Sequence, residues 1–128
     1  TLPESIEHVG NNLHLPASPT HLPKKLSYVG GRLDTRRTTI QDLPETLTHV
    51  GGDLLLNNSI SRLPNNIQYI GESLNLYFND VMTQIPDSLV SINRLILNEK
   101  WKKTDKYTKL IEYVETQKIV KEAVQFGI

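Results

Sequence analysis

Leu43-Pro44-Glu45-Thr46-Leu47-Thr48-His49-Val50-Gly51-Gly52-Asp53-Leu54-Leu55-Leu56 is one copy of a pattern that the chain repeats about five times. The Leu-Pro pair recurs as Leu2-Pro3, Leu22-Pro23, Leu43-Pro44 and Leu63-Pro64, then as Ile85-Pro86, at intervals of 20, 21, 20 and 22 residues. Three residues past each proline stands an aliphatic residue: Ile6, Leu26, Leu47, Ile67 and Leu89. Three further on stands another: Val9, Val29, Val50, Ile70 and Ile92. Glycine follows in four copies, at Gly10, Gly30, Gly51 and Gly71, and then an alternating pair: Leu13/Leu15, Leu33/Thr35, Leu54/Leu56, Leu74/Leu76 and Leu95/Leu97.

Each part of the pattern has a physical reading. Alternation over three residues is a short strand with two side chains on one face. Proline fixes φ and removes a donor, which suits a bend without a ladder bond. The glycines, clearest at Gly30-Gly31 and Gly51-Gly52, serve either a positive φ or the close approach of neighbouring coils. A single copy cannot bury its aliphatic face, but stacked copies join those faces into one core, with strands about 4.8 Å apart. The length variation from Leu15 to Ile85 sits after the strands, where loops tolerate it.

The pattern resembles the leucine-rich repeat family over about residues 2–98, best where Leu74, Leu76, Asn79 and Val81 line up with its consensus. Ser18, Thr38 and Ser59 stand in for the consensus asparagine in other copies, and the Gly-Gly spacer is missing before Leu95. The Leu-Pro-x-x-Leu element looks like the short repeats of bacterial effectors, and the Val-Gly-Gly-x-Leu-x-Leu variant is similar to repeats of bacteriophage and bacterial proteins. The resemblance implies an α/β leucine-rich-repeat solenoid with short parallel strands and an irregular convex side. It also implies a protein-interaction scaffold used through the strand face.

Composition agrees with a solenoid. At 128 residues the chain is one domain's worth, with 38% hydrophobic residues and only eight aromatics, little for a compact globule but enough for stacked coils. Fourteen basic residues balance fourteen acidic ones, which argues against a general polyanion binder. Without cysteine there is no disulfide or thiolate site, and a cytoplasmic setting is the expectation. No apolar run is long enough to span a bilayer, so no membrane insertion is expected. The sequence opens at Thr1 inside a repeat, which reads as a trimmed or processed product; an open N-terminal coil would allow self-association.

The pattern changes after Leu97, dividing the chain into a repeat array over 1–98 and a cap over 99–128. Tyr107, Leu110, Ile111 and Val114, then Ile119, Val120, Ala123 and Val124, recur at three and four. This spacing predicts a capping helix from about 105 to 125, N-capped by Thr104 or Asp105 and stopped near Gly127. Its role would be to cover the last aliphatic face. Trp101 reads as a packing residue at the junction.

Motifs for chemistry are absent. His8 and His49 share a repeat position with Tyr28 and Tyr69. They lie two coils apart, about 10 Å at the coil spacing, too far to bind one metal. They read as a surface ladder of rings. His14 and His21 have no ligand cluster in the sequence, and neither a nucleophile elbow nor a phosphate loop occurs. Asp34 and Asp53 read as surface charges beside Arg32 and Arg36. The cluster Lys24, Lys25, Arg32, Arg36 and Arg37, like the lysines of residues 100–109, reads as solvated; nucleic-acid binding would need a basic stripe over several coils with aromatics for stacking. No catalytic residue, metal site or cofactor is expected, and the chain reads as non-enzymatic.

With the alternating leucines inward, their neighbours face out in columns. One is Asn12, Arg32, Asp53, Ser73 and Arg94; the next is His14, Asp34, Leu55, Asn75 and Ile96; the third is Pro16, Arg36, Asn57, Tyr77 and Asn98. The candidate partner-binding residues are Arg32, Asp34, Arg36, Leu55, Asn57, Asn75 and Tyr77. Leu55 is apolar where water is expected, while Tyr77 and Arg36 are types common at hot spots. The leading expectation is a module that binds a protein, such as a host protein captured by a phage or bacterial effector. A structural or decoration component of a virion, or the substrate-recognition part of a larger effector enzyme, are the alternatives.

Overall fold

A computed structural model describes residues 3–13, 15 and 21–127 of the chain. The prolines begin each coil. The carbonyl of Pro23 accepts from the Leu26 amide at 3.1 Å, and Pro44 does the same for Leu47, Pro64 for Ile67 and Pro86 for Leu89. A φ fixed near −65° favours this turn, which delivers the second aliphatic residue of each copy to the interior.

Short strands follow: β1 His8–Val9, β2 Tyr28–Val29, β3 Leu33–Asp34, β4 His49–Val50, β5 Leu54–Leu55, β6 Tyr69–Leu76 and β7 Ser91–Leu97. All pair in parallel. One line runs Val9, Val29, Val50, Ile70, Ile92; a second runs Leu13, Leu33, Leu54, Leu74, Leu95. The lines merge in β6 and β7, whose strands continue through the segment that bends in earlier coils. The result is a parallel-strand β-solenoid of about four turns. Leu26, Leu47, Ile67 and Leu89 stack as a further buried column, and Ile40, Ile60 and Met82 as another. Thr35 occupies a leucine position in full burial because its hydroxyl donates to the Leu55 carbonyl at 3.1 Å and accepts from the Asn57 amide.

The glycines serve close approach rather than turn conformation. Of the described residues only Lys118 and Gly127 have positive φ. A Cβ on Gly30 would overlap the Gly10 carbonyl, one on Gly51 the Gly30 carbonyl, and one on Gly71 the Gly51 carbonyl. The column stops at β7. There Ile92 and Leu95 are separated by one residue fewer than Ile70 and Leu74, and the register shifts between Ile70 and Ser73. Asn93 stands at this shift, where the earlier copies have glycine.

The cap departs from the expected single helix. A 3₁₀ turn, Glu99–Trp101, precedes α1, which spans only Thr108–Thr116; residues Val120–Phe126 form β8, parallel to β7. Ile119, Val120, Ala123 and Val124 are thus not a second stretch of helix face. Ile119 is buried in the core, and Val120 and Val124 pair with Ile92 and Leu95. The helix ends in a Schellman arrangement: the Ile119 amide donates to the Val114 carbonyl at 2.9 Å and the Lys118 amide to Glu115 at 3.2 Å. Lys118 sits at φ 56°, where glycine is usual. That choice concealed the helix end in the sequence. The expected N-cap also differs: Tyr107 occupies that position without a side-chain capping bond, while the Thr104 hydroxyl accepts from the Lys106 amide one turn earlier. Gly127 stops the strand rather than the helix, donating its amide to Leu97 at 2.8 Å. Tyr107, Leu110, Val114 and Ile119 join the core built by the coils.

Two stability tests follow from this geometry. Gly51→Ala should destabilise the protein by about 2 kcal/mol, because backbone on the neighbouring coil must move. Gly10→Ala, with open space around the new methyl, should stay within about 0.5 kcal/mol; urea denaturation of both variants checks the contrast. Lys118→Gly removes left-handed strain and should stabilise by about 0.5–1 kcal/mol despite the added chain entropy, read as a rise in the thermal midpoint.

Candidate binding surface

The strand register aligns residues of two of the expected columns. Asp34, Leu55, Asn75 and Ile96 lie side by side across β3, β5, β6 and β7, and Ser73 lies beside Arg94. His14, Pro16 and Ser18 lie outside the described residues. Of the seven candidate residues, Arg32 and Arg36 are exposed, and Asp34, Asn75 and Tyr77 are partly so. Leu55 is only 6% exposed although it stands apart from the hydrophobic core, so it is covered on the strand face rather than offered to water.

Asn57 is turned inward. Its amide nitrogen donates to the carbonyls of Thr38 at 2.9 Å and Ile40 at 3.1 Å, and its oxygen accepts from the Ser59 amide. Asn79 donates to the Ile60 carbonyl at 2.7 Å and to Asn57, and accepts from the amides of Val81 and Met82. Asn98 donates to the Tyr77 carbonyl at 3.1 Å. These amides stitch the loops together, satisfying buried carbonyls that no strand reaches. The residue doing this in the third coil is Asn57, two positions before Ser59. The fourth coil is two residues longer after its strand, which moves the equivalent bond to Asn79.

A contiguous group forms where the strands end. Arg36 donates from Nε to Asp34 Oδ1 at 2.9 Å and from Nη2 to Oδ2 at 2.8 Å, and its backbone amide also reaches Oδ1. Burial alone would raise the Asp34 carboxyl, but the Arg36 bonds and the charges of Arg36 and Arg32 outweigh it and hold the group below the usual carboxylate range. The Arg36 guanidinium lies 5.7 Å from the Phe78 ring centroid, and Tyr77 meets Phe78 edge-on at 4.8 Å. Phe78 is 52% exposed and was not among the candidates. Its signal was an aromatic at a loop register where other copies carry Arg37, Asn58 and Glu99. Arg32 contacts Asp53 only loosely, at 3.8 Å, while Asp53 accepts from the amide and hydroxyl of Ser73.

The ring ladder is present. His8 stacks on Tyr28 at 4.2 Å, and Tyr28, His49 and Tyr69 continue at 6.1 and 5.9 Å with tilted planes. His21 bonds Glu4 at 2.9 Å. Among the described residues no group of three or more His, Asp or Glu residues is arranged to hold a metal, and no helix is long and apolar enough to cross a membrane.

Trp101 ties the cap to the fourth coil. Its indole N–H donates to Asp80 Oδ1 at 3.0 Å, and Lys100 pairs with Asp80 Oδ2 at 3.2 Å. Deeper in, the Tyr107 hydroxyl donates to the Asn79 carbonyl at 3.1 Å, and burial, with Asp80 nearby, pushes its pKa up to about 12. No family model matches the sequence, and no curated protein or solved structure matches it either.

The Trp101 bond holds the Asp80 carboxyl below its ordinary 3.8, against a smaller opposing effect of burial and with help from Lys100. A depressed folded-state pKa gives stability that is present above the unfolded value and lost as pH falls through the folded one. Tryptophan emission should therefore hold steady from pH 7 to about 4 and change only in more acid solution; in Asp80→Asn it should already differ at neutral pH.

Proposed function

We propose that the chain is a non-enzymatic protein-binding module of leucine-rich-repeat type that meets its partner on the outward strand face. One observation carries the reading: the buried columns keep nearly the same aliphatic chemistry from coil to coil, while the outward columns in register with them do not. Asp34, Leu55, Asn75 and Ile96 are neighbours on one rigid ladder yet set an acid and an amide among two aliphatic side chains. A scaffold whose interior is uniform and whose face is particular suits recognition of a specific surface. The asparagine bonds of Asn57, Asn79 and Asn98 support the leucine-rich-repeat reading of the loops.

The surface proposed is Arg32, Asp34, Arg36, Asn75 and Tyr77, with Phe78 added. The Asp34 fork fixes Arg36, and Phe78 backs both Arg36 and Tyr77, so ordering these side chains costs less on binding than for free ones. Asn57 drops out as an interior hydrogen-bonding residue, and Leu55 fills the column between Asp34 and Asn75.

Affinity capture from candidate lysates, quantified by mass spectrometry, tests the surface. The double variant Arg36→Ala/Tyr77→Ala should retain its circular dichroism spectrum and lose at least about tenfold of the specifically captured protein. Equal capture by variant and wild type rejects the strand face.

A further inference from the structure

We infer that the loop edge of the cap, around Trp101, is a second docking point that receives an acidic segment of a protein partner carrying an apolar side chain. The inference rests on the protein-binding reading above, but its residues, the lysines around Trp101 and Val81, are not those of the strand face.

Residues 100–109 contain five of the chain's fourteen cations, Lys100, Lys102, Lys103, Lys106 and Lys109, against one acid, Asp105. In a chain of zero net charge this is a marked local excess. The fold concentrates it further. Lys106 Nζ lies 4.6 Å and Lys100 Nζ 5.1 Å from the Trp101 ring centroid, so two like charges share one indole. Lys102 and Lys103 are exposed and make no ion pair among the described residues. The Asp80 bond fixes the indole, and the ring in turn restrains the ammonium groups. Asp80 already offsets Lys100, so an incoming carboxylate would be met by Lys102, Lys103 and Lys106, which make no ion pair among the described residues.

Apolar surface adjoins this charge. Val81, next in the chain to the Asp80 that holds the indole, is 46% exposed, one of the most exposed large apolar side chains described. Cations beside an uncovered apolar group call for an occupant that supplies both carboxylates and an apolar residue. A nucleic-acid strand fits less well. Base stacking needs free ring faces, whereas Trp101 already has Lys100 and Lys106 over it and Phe78 has Arg36. Asp80, Glu99 and Asp105 lie among the lysines, where evenly spaced phosphates would meet them. A peptide can place its carboxylates to avoid them.

Trp101 is the sole tryptophan, so its emission reports directly on the site. The probe is a fluorescein-labelled synthetic peptide of repeated Glu-Glu-Leu, titrated at low salt; an oligothymidine strand of equal charge is the competitor class. The peptide should bind saturably, change Trp101 emission and weaken steeply with added salt. Lys102→Glu/Lys103→Glu should weaken it at least about tenfold, whereas Lys24→Glu/Lys25→Glu, the same charge change on the Leu-Pro turn of the second coil, should alter it less than about twofold. Equal losses in the two variants, tighter binding of oligothymidine, or no saturation at millimolar peptide would overturn the inference. The capture assay separates it from the strand-face reading. A partner kept by Lys102→Glu/Lys103→Glu but lost by Arg36→Ala/Tyr77→Ala sinks the cap site alone, and the reverse sinks the strand face alone.

Discussion

Every coil depends on the close parallel seating of one backbone on the next. The Gly51 amide donates to the Val29 carbonyl at 2.7 Å, and Gly30 does the same to Val9, at points where a methyl group would already collide. That spacing lets Val29, Val50 and Ile70 touch along one line and Leu33, Leu54 and Leu74 along another. It also sets the positions of the outward side chains. A chain with little aromatic material has few large groups to bury, so its core comes from repeated small contacts rather than from a central cluster.

Polar groups at the ends of the coils are handled by side chains rather than by longer strands. Asp34 and Asn75 each accept the backbone amide two residues on, ending the strand locally. Asn57, Asn79 and Asn98 reach across to the preceding coil. The first pair leaves its neighbours Arg36 and Tyr77 at the surface, while the second set draws the loops inward. The division between binding candidates and framework on this face is therefore a division in where hydrogen bonds are needed.

The repeat array was legible because its signal is redundant: a leucine misread in one copy is corrected by the same column in four others. The outward columns were legible for the same reason, through strand alternation at Asp34, Asn75 and Tyr77. Asn57 and Phe78 were not. Asn57 stands at an outward position by counting, but the length of the next loop decides which asparagine reaches the previous coil. Phe78 has no column of its own. The cap was misread because Ile119, Val120, Ala123 and Val124 satisfy helical spacing, while their pairing with β7 is a tertiary fact. Two adjacent β-branched residues after the charged stretch hinted at a strand, and the absence of glycine at Lys118 masked the break.

The glycine column has a consequence for how such a chain can change length. Between Gly10 and Gly71 every coil offers the next one the same bare strip of backbone, so a whole coil cut out or copied within that span would again set glycine against glycine. The outward strand face would then shorten or lengthen by about 4.8 Å per coil with its remaining parts undisturbed. Past Gly71 the seam differs, because Asn93 stands where earlier copies have glycine and the register shifts on both sides of β7. The molecule thus joins an interchangeable part to one that is not, and growth of the strand face is confined to the side away from the cap.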